Sequence, residues 1–386
     1  MEQSGMNFSL SLDQLELREA VADFARKTLN PGSLERDAKR EFSRELWKKC
    51  ARMNIFGLPL PEAFGGLDLD VASIVAAMEG LGYGCRDNGL VFSINTQLWS
   101  CEIPILHFGS DEQKSKYLPK LCTGELIGGH AMTEPDTGSD AFTIQTRAVR
   151  EGDNYRLNGS KIFITNAPIA DIMIVFARTA PGKSFMGLSA FIVERNTPGV
   201  AFGKNIEMMG LRTCPIGEIA FNDCIIPEGN RLGKEGAGAT IFNSEMEWER
   251  SCLFACHVGT MERVMEQCVA YARARLQFGQ PIGAYQAISH KIADMKVRIE
   301  LSKLMVYKIA YSKMNGESVS LDAAIGKLYI SEALAATCKD AVQLHGAYGY
   351  CAEYEIERDF RDSVAATIYS GTSEIQRNTI YRLMDL

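Results

Sequence analysis

Between residues 125 and 236 one strand-like segment follows another with no long helix between them, while the chain on either side reads as helix. That change of texture constrains the fold more than any other feature. Parallel strands need a crossover of a dozen or more residues, usually a helix, and none fits here. Segments 148–151 and 154–157 flank a Glu151-Gly152-Asp153-Asn154 turn, which is a hairpin signal. Segments 172–177 and 188–193 are apolar runs of strand length, and 218–221 and 224–227 read as two further strands. The middle of the chain is therefore expected to be an antiparallel β domain.

The flanks follow a different period. Residues 12–29 carry apolar side chains at helical spacing until Pro31 stops them, and 71–78 form a second such run after the turn-rich Gly65-Gly66. From 237 onward the chain is a series of Ala- and Met-rich amphipathic runs. The expected class is α+β: a helical N-terminal domain (1–124), a middle β domain (125–236) and a helical C-terminal domain (237–386). A chain of 386 residues is long enough for two or three domains sharing a large core.

Composition narrows the function classes. The net charge of −7 opposes a nucleic-acid partner, and no apolar run reaches membrane-spanning length. The start, Met1-Glu2-Gln3-Ser4-Gly5, is neither a secretory nor a transit signal, so a cytoplasmic location is expected. The 11 cysteines are scattered, and no Cys-x-x-Cys occurs. Cys252 and Cys256 lie four apart in an apolar helical run, which favours core packing over metal ligation. The five histidines are also too dispersed for a ligand set, so no metal is expected. The glycines of Gly233-Lys234-Glu235-Gly236-Ala237-Gly238 have the wrong spacing for a dinucleotide fingerprint.

Four clusters could carry chemistry. Met132-Thr133-Glu134-Pro135-Asp136-Thr137-Gly138-Ser139-Asp140 offers hydroxyls and free N–H groups to a polar ring, or is a plain surface loop. In 158–166, strand alternation puts Phe163 and Thr165 on one face, an aromatic wall beside a hydroxyl. In 273–283, Arg275 closes a helix beside a Gly/Pro turn, where it could hold a phosphate or merely favour a helix C-terminus. In 343–350, small residues around Gly346 allow close backbone approach to a ligand, or simply cap a helix.

Together, in this order and across this α–β–α layout, the clusters resemble the acyl-CoA dehydrogenase family over nearly the whole chain. The resemblance implies that family's fold, with a barrel-like middle domain and a C-terminal four-helix bundle. It implies a homotetramer or dimer of dimers, and FAD lying between the β domain and the C-terminal helices. Met132, Thr133, Gly138, Ser139, Phe163 and Thr165 would then meet the flavin. Arg275, Phe278 and Gln286 would reach the FAD of a neighbouring subunit, and Gln343 and Gly346 the ADP portion. Thr372 and Glu374 would complete the site, with Ser139 and Arg250 at the substrate. Ala347 departs from the family, which often has a second glycine there; this tightens that approach without abolishing FAD binding.

A second departure matters more. Tyr369-Ser370-Gly371-Thr372 resembles the family's C-terminal signature, in which a Tyr-Glu-Gly-Thr run often supplies the catalytic carboxylate; here that position is Ser370. A hydroxyl cannot replace the carboxylate that removes an α-proton from a thioester. On a helix, Glu249 shares a face with Cys252, Leu253 and Cys256, at spacings of three, four and seven, so it is expected to point inward. Glu247 falls off that face and is expected in solvent, and Glu245 lies one turn from Glu249 and would repel it if both were charged. The bland explanation is an acid-rich first turn of a helix beginning near Glu245. Glu249-Arg250 nevertheless matches the alternative base position of the isovaleryl-type and long-chain members.

The segments 88–93, 166–171, 211–215 and 248–250, with the run at 369–372, look like those of the prolyl-carrier-protein dehydrogenases of natural-product pathways. The expected substrate is therefore an acyl or aminoacyl thioester on a carrier protein, prolyl first, with electron-transferring flavoprotein or oxygen as acceptor. Two alternatives stand beside it: a short- or branched-chain acyl-CoA dehydrogenase, and a flavin monooxygenase or inactive FAD-binding member of the fold.

Overall fold

The computed structural model describes residues 9–180, 182 and 185–384; the polar start, Met1 to Gly5, lies outside them. Seven helices come first: α1 (Leu12–Phe24), α2 (Ser33–Lys39), α3 (Arg44–Arg52), α4 (Val71–Gly84), α5 (Asn88–Gln97), α6 (Ile103–Phe108) and α7 (Asp111–Cys122). Ser11 and Ser110 open α1 and α7 with reciprocal caps to Gln14 and Gln113, so two otherwise orphaned donors at each start are satisfied. A wider, π-helical turn, Leu98–Glu102, continues α5.

The middle of the chain forms one sheet from β1 (Gly128–Ala131), β2 (Arg147–Glu151), β3 (Asn154–Thr165), β4 (Ile172–Arg178), β5 (Leu188–Glu194), β6 (Val200–Phe202), β7 (Ile216–Pro227) and β8 (Arg231–Leu232). Its order is β6-β7-β3-β2-β4-β5-β8, with β1 alongside β4. The ladders are antiparallel, as the helix-free spacing demands, except where β1 and one residue of β2 run parallel to β4. The two strands expected at 218–221 and 224–227 are one strand, β7. Asp223 takes a left-handed conformation (φ 48°), and β3 pairs with β7 on both sides of it. The Asn222-Asp223 step is thus an irregularity inside a ladder and not a turn between strands.

Helices return with α8 (Gly238–Ala274), then a short hairpin of β9 (Leu276–Gln277) and β10 (Gln280–Pro281). They continue with α9 (Gln286–Met314), α10 (Ser320–His345), α11 (Ala347–Tyr350), α12 (Ile356–Ala365) and α13 (Ser373–Leu383). The expected helix start near Glu245 is corrected: α8 begins at Gly238, so its acids lie in the helix body and owe nothing to a first turn. Among the described residues no helix is long and apolar enough to cross a membrane.

Helix α8 is buried along most of its length because it packs on α4, α9 and α10 around one core containing Ile74, Met78, Leu253, Phe254, Ile299 and Ile330. Two glycines set how closely α4 and α8 approach. A Cβ on Gly82 would meet the Cys256 carbonyl oxygen at 1.9 Å, and one on Gly259 the Glu79 carbonyl oxygen at 2.1 Å. Both obstacles are backbone, so neither can swing aside. Gly259→Ala is expected to destabilise the fold by about 2–3 kcal/mol, the usual range for overpacking. A urea midpoint equal to that of the parent chain would contradict this.

Candidate active site

The α8–core contact fixes the face expected to point inward. Glu249 is 7% exposed, and Cys252, Leu253 and Cys256 are enclosed beside it. Burial pushes both thiols up to about 12, as for inert core cysteines. Glu247 is not free in solvent: Lys313 Nζ lies 2.7 Å from one of its oxygens and Ser320 Oγ donates to the other at 2.8 Å.

Two hydroxyls hold the Glu249 carboxylate. Ser100 Oγ donates to Oε2 at 2.8 Å, and Ser370 Oγ donates to Oε1. Ser100 comes from the π-helical turn, a local irregularity common at functional sites. Ser370 sits in a left-handed conformation (φ 55°) unusual for a side-chain-bearing residue. Its carbonyl accepts from Arg250 Nε at 3.0 Å and from Gln376 Nε2 at 3.0 Å, and Gln376 also donates to Gly371 O at 3.1 Å. Gly371 needs its missing side chain: its φ is 90°, and a Cβ would stand 2.6 Å from Gln376 Nε2. The turn that carries Ser370 is thereby clamped onto Glu249 and Arg250. Ser100 and Gln376 escaped the sequence reading, and no spacing could have found them.

The preceding residue anchors the same turn. The Tyr369 hydroxyl lies 2.5 Å from His257 Nε2, and its ring packs 4.5 Å from Phe92. Burial pushes the His257 imidazole down to about 3 and the Tyr369 phenol well up, so both are neutral at pH 7. An unfolded imidazole takes a proton below about pH 6.5 and the folded one only near pH 3. Between those values the unfolded state binds more protons, so stability rises with pH and is lost as pH falls. His257→Gln is expected to remove on the order of 2 kcal/mol of that acid sensitivity, discounting for partial exposure. Unfolding midpoints from pH 7 down to pH 4 measure it, and a variant slope equal to the parent's would refute it.

The four clusters fall into two groups. The first and second are laced together: Lys161 Nζ donates to Met132 O at 3.0 Å and to Glu134 Oε1 at 2.9 Å, and Ile162 N–H to Thr133 O at 3.0 Å. Glu134 also accepts from the backbone N–H groups of Gln145 and Thr146. Lys161 is fully enclosed, and burial pushes it down to about 8 against the pull of Glu134. This pair is another feature the sequence did not disclose. Beside it Thr133 and Thr165 are half-buried, Gly138 and Ser139 are exposed, and a Cβ on Gly138 would meet open space. The regular alternation expected for Phe163 and Thr165 is corrected. The ladder shifts register between Lys161 and Ile164, and Phe163 has φ 57° with its ring 55% exposed.

The third and fourth clusters meet elsewhere. Arg275 caps α8 and lies over the Tyr348 ring at 5.6 Å, while Tyr271 OH donates to His345 O at 3.4 Å. Phe278, on the β9–β10 hairpin, is 93% exposed, and Gln286 and Gln343 are exposed. Gly346 ends α10 with φ 59° and open space where a Cβ would be. Thr372 caps α13 by accepting from Ile375 N–H, and the exposed Glu374 lies in that helix's first turn.

The chain matches the acyl-CoA dehydrogenase N-terminal domain over residues 11–125, the middle domain over 129–224 and the C-terminal domain over 236–384. It is 43% identical over 348 residues to an L-prolyl-[peptidyl-carrier protein] dehydrogenase of Pseudomonas fluorescens, spanning 90% of this chain and 92% of that one. A protein of the same name from a Serratia species is 42% identical over 381 residues, 99% of each chain. The crystal structure of the prolyl acyl carrier protein oxidase AnaB superposes with a TM-score of 0.96 at 45% identity, over 98% of this chain and all of AnaB. Three consecutive domains, matched in order across almost the whole length, place this chain in the acyl-CoA dehydrogenase family.

Proposed function

We propose that this protein is an FAD-dependent dehydrogenase acting on an aminoacyl thioester, prolyl first, tethered to a carrier protein. The observation that carries the reading is the enclosed Glu249 carboxylate, gripped by Ser100 and by Ser370, the residue standing where the family signature has its carboxylate. Likeness to the L-prolyl-[peptidyl-carrier protein] dehydrogenases and to a structure described as PigA with FAD and proline, 42% identical with a TM-score of 0.97, supports the substrate and the cofactor.

FAD supplies a hydride acceptor when bound. The chain's residues suit it: an exposed Phe163 ring, an unobstructed Gly138 and the half-buried hydroxyls of Thr133 and Thr165 lie on the loop and strand tied by Lys161. Met132, Thr133, Gly138, Ser139, Phe163 and Thr165 would hold the flavin, with Thr372 and Glu374 nearby. Gln343 and Gly346 would take the ADP portion, and Arg275, Phe278 and Gln286 would reach the FAD of a neighbouring subunit of a homotetramer. Arg275 lies beside the 343–350 segment of its own chain, so Gln343 and Gly346 would reach the same FAD as Arg275.

Glu249 removes the α-proton. Its two hydroxyl partners fix the carboxylate's orientation, and its enclosed surroundings exclude competing water. Arg250 and Ser139 bind substrate. A carboxylate held in this way also counts against a monooxygenase or an inactive protein. Electron-transferring flavoprotein or oxygen takes the electrons onward, and the setting is the cytoplasm.

Purified holoenzyme incubated with prolyl-loaded carrier protein, and separately with acyl-CoAs, tests this reading. The carrier-bound product is expected to lose two or four hydrogens by mass spectrometry. Oxidation of free acyl-CoA alone would overturn the carrier assignment in favour of an acyl-CoA dehydrogenase.

A further inference from the structure

Glu245 has no part in the chemistry set out above, yet it stands one helical turn from Glu249, with Cβ atoms about 5–6 Å apart. It is 1% exposed, and neither of its oxygens receives a well-formed hydrogen bond. His130 of β1 touches it, Nδ1 against Oε1, and Glu249 lies near enough to act on it electrostatically. Ser100, which donates to Glu249, lies close to Glu245 as well. Burial raises Glu245 with His130 opposing it, and Glu245 raises His130 against burial.

The surroundings make this pair expensive as a mere structural device. His130 stacks on Phe242 at 6.3 Å and meets Phe176 edge-on at 6.4 Å, and Phe142 and Phe176 both stand edge-on to Phe242. A carboxylate in such a nest costs several kcal/mol, and an apolar residue would pack there as well or better. The imidazole is the accessible member, 22% exposed against none for the Glu245 side chain. With Nδ1 turned to Glu245, the other ring nitrogen faces away from it.

We propose that Glu245 and His130 form the receptor for the substrate's amine: neutral His130 accepts the amine N–H at Nε2, and Glu245, facing Nδ1, fixes the tautomer and orientation of the ring. This rests on the aminoacyl-thioester reading above and adds to it what the site recognises. In an aminoacyl thioester the nitrogen is bonded directly to the α-carbon, the atom that gives its proton to Glu249. A receptor one helical turn from the base, with Ser100 close to both carboxylates, is placed to reach a nitrogen bonded to that carbon. Held there, the amine orients the α-hydrogen toward Glu249. A plain acyl chain presents only carbon and leaves the pair unanswered. Sites built to bind an N–H discriminate against analogues lacking it far more strongly than apolar pockets discriminate by size. Glu245 is thus a positioning residue, and His130 the group that touches substrate.

Prolyl-loaded and cyclopentanecarbonyl-loaded carrier proteins have the same ring size and thioester and differ in the amine. Anaerobic reduction of the bound flavin gives kcat/KM for each. Changing Glu245→Leu together with His130→Phe removes both polar partners and leaves neither one unpaired. This variant is expected to lose about 100-fold or more on the prolyl substrate and to change the cyclopentane substrate by less than about threefold. Glu245→Gln, closer in shape, supplies the same comparison should the double variant lose its flavin, and its prolyl preference is expected to fall in the same direction. Equal losses on both substrates, or an unchanged preference, would overturn the proposal while leaving the carrier-thioester reading standing. A parent enzyme that leaves prolyl-loaded carrier unoxidised would overturn both.

Discussion

Glu249→Gln is expected to keep its flavin and lose turnover by about three to four powers of ten, the upper range for removing a general base. The amide has the size of the carboxylate and can still accept one of the hydrogen bonds from Ser100 and Ser370, so the turn and helix should stay in place. What it lacks is the capacity to take a proton from carbon. The comparison that gives the experiment its force is Ser370→Ala. This removes one donor to Glu249 and leaves the base, so a loss of about tenfold or less is expected. Stopped-flow measurement of flavin reduction separates this step from reoxidation. If Ser370→Ala does the greater damage and Glu249→Gln does little, the proton is removed by another group.

The largest expected effect on stability comes from Lys161→Met. The fully enclosed ammonium binds Glu134 and the Met132 carbonyl, and its loss strands a carboxylate that is itself 6% exposed. Breaking one member of such a pair typically costs about 3–5 kcal/mol. The damage should also reach function, because Met132 and Thr133 belong to the proposed flavin loop. Flavin occupancy is expected to fall with the denaturation midpoint. Adding Glu134→Leu should recover only part of the loss, since Glu134 also holds the backbone N–H groups of Gln145 and Thr146. A Lys161→Met protein with the parent's midpoint and full flavin would show that the pair is dispensable.

Local periodicity made much of this structure legible in the sequence. The inward face of α8 follows from Glu249, Cys252, Leu253 and Cys256 alone, and all four are buried. The hairpin of β2 and β3 was readable from its turn and alternation, with Glu151 paired to Asn154 as the four-residue turn requires. Legibility ended where a distant partner overrode a local signal. Asn222-Asp223 looks like a turn, yet pairing with β3 carries the strand through it. Glu247 looks solvated because Lys313 stands 66 residues away. Ser100 and Ser370 are 149 and 121 residues from the carboxylate they hold; the signature at 369–372 marked Ser370 but not its bond to Glu249, and no pattern in the chain announces Ser100.

The contact between Ser370 and Glu249 has a further meaning. The reaction requires one carboxylate at one point in space, and the fold brings two backbone positions within side-chain reach of that point. One lies about a third of the way along a long helix, the other in the turn before the last helix. Either can deliver the group while the other supplies a small supporting hydroxyl. Under the role proposed for Glu249, a carboxylate at 370 would stand at the same point, so two substitutions would move the base from one position to the other. The position of the acid in the sequence then records ancestry, whereas its position in space records chemistry.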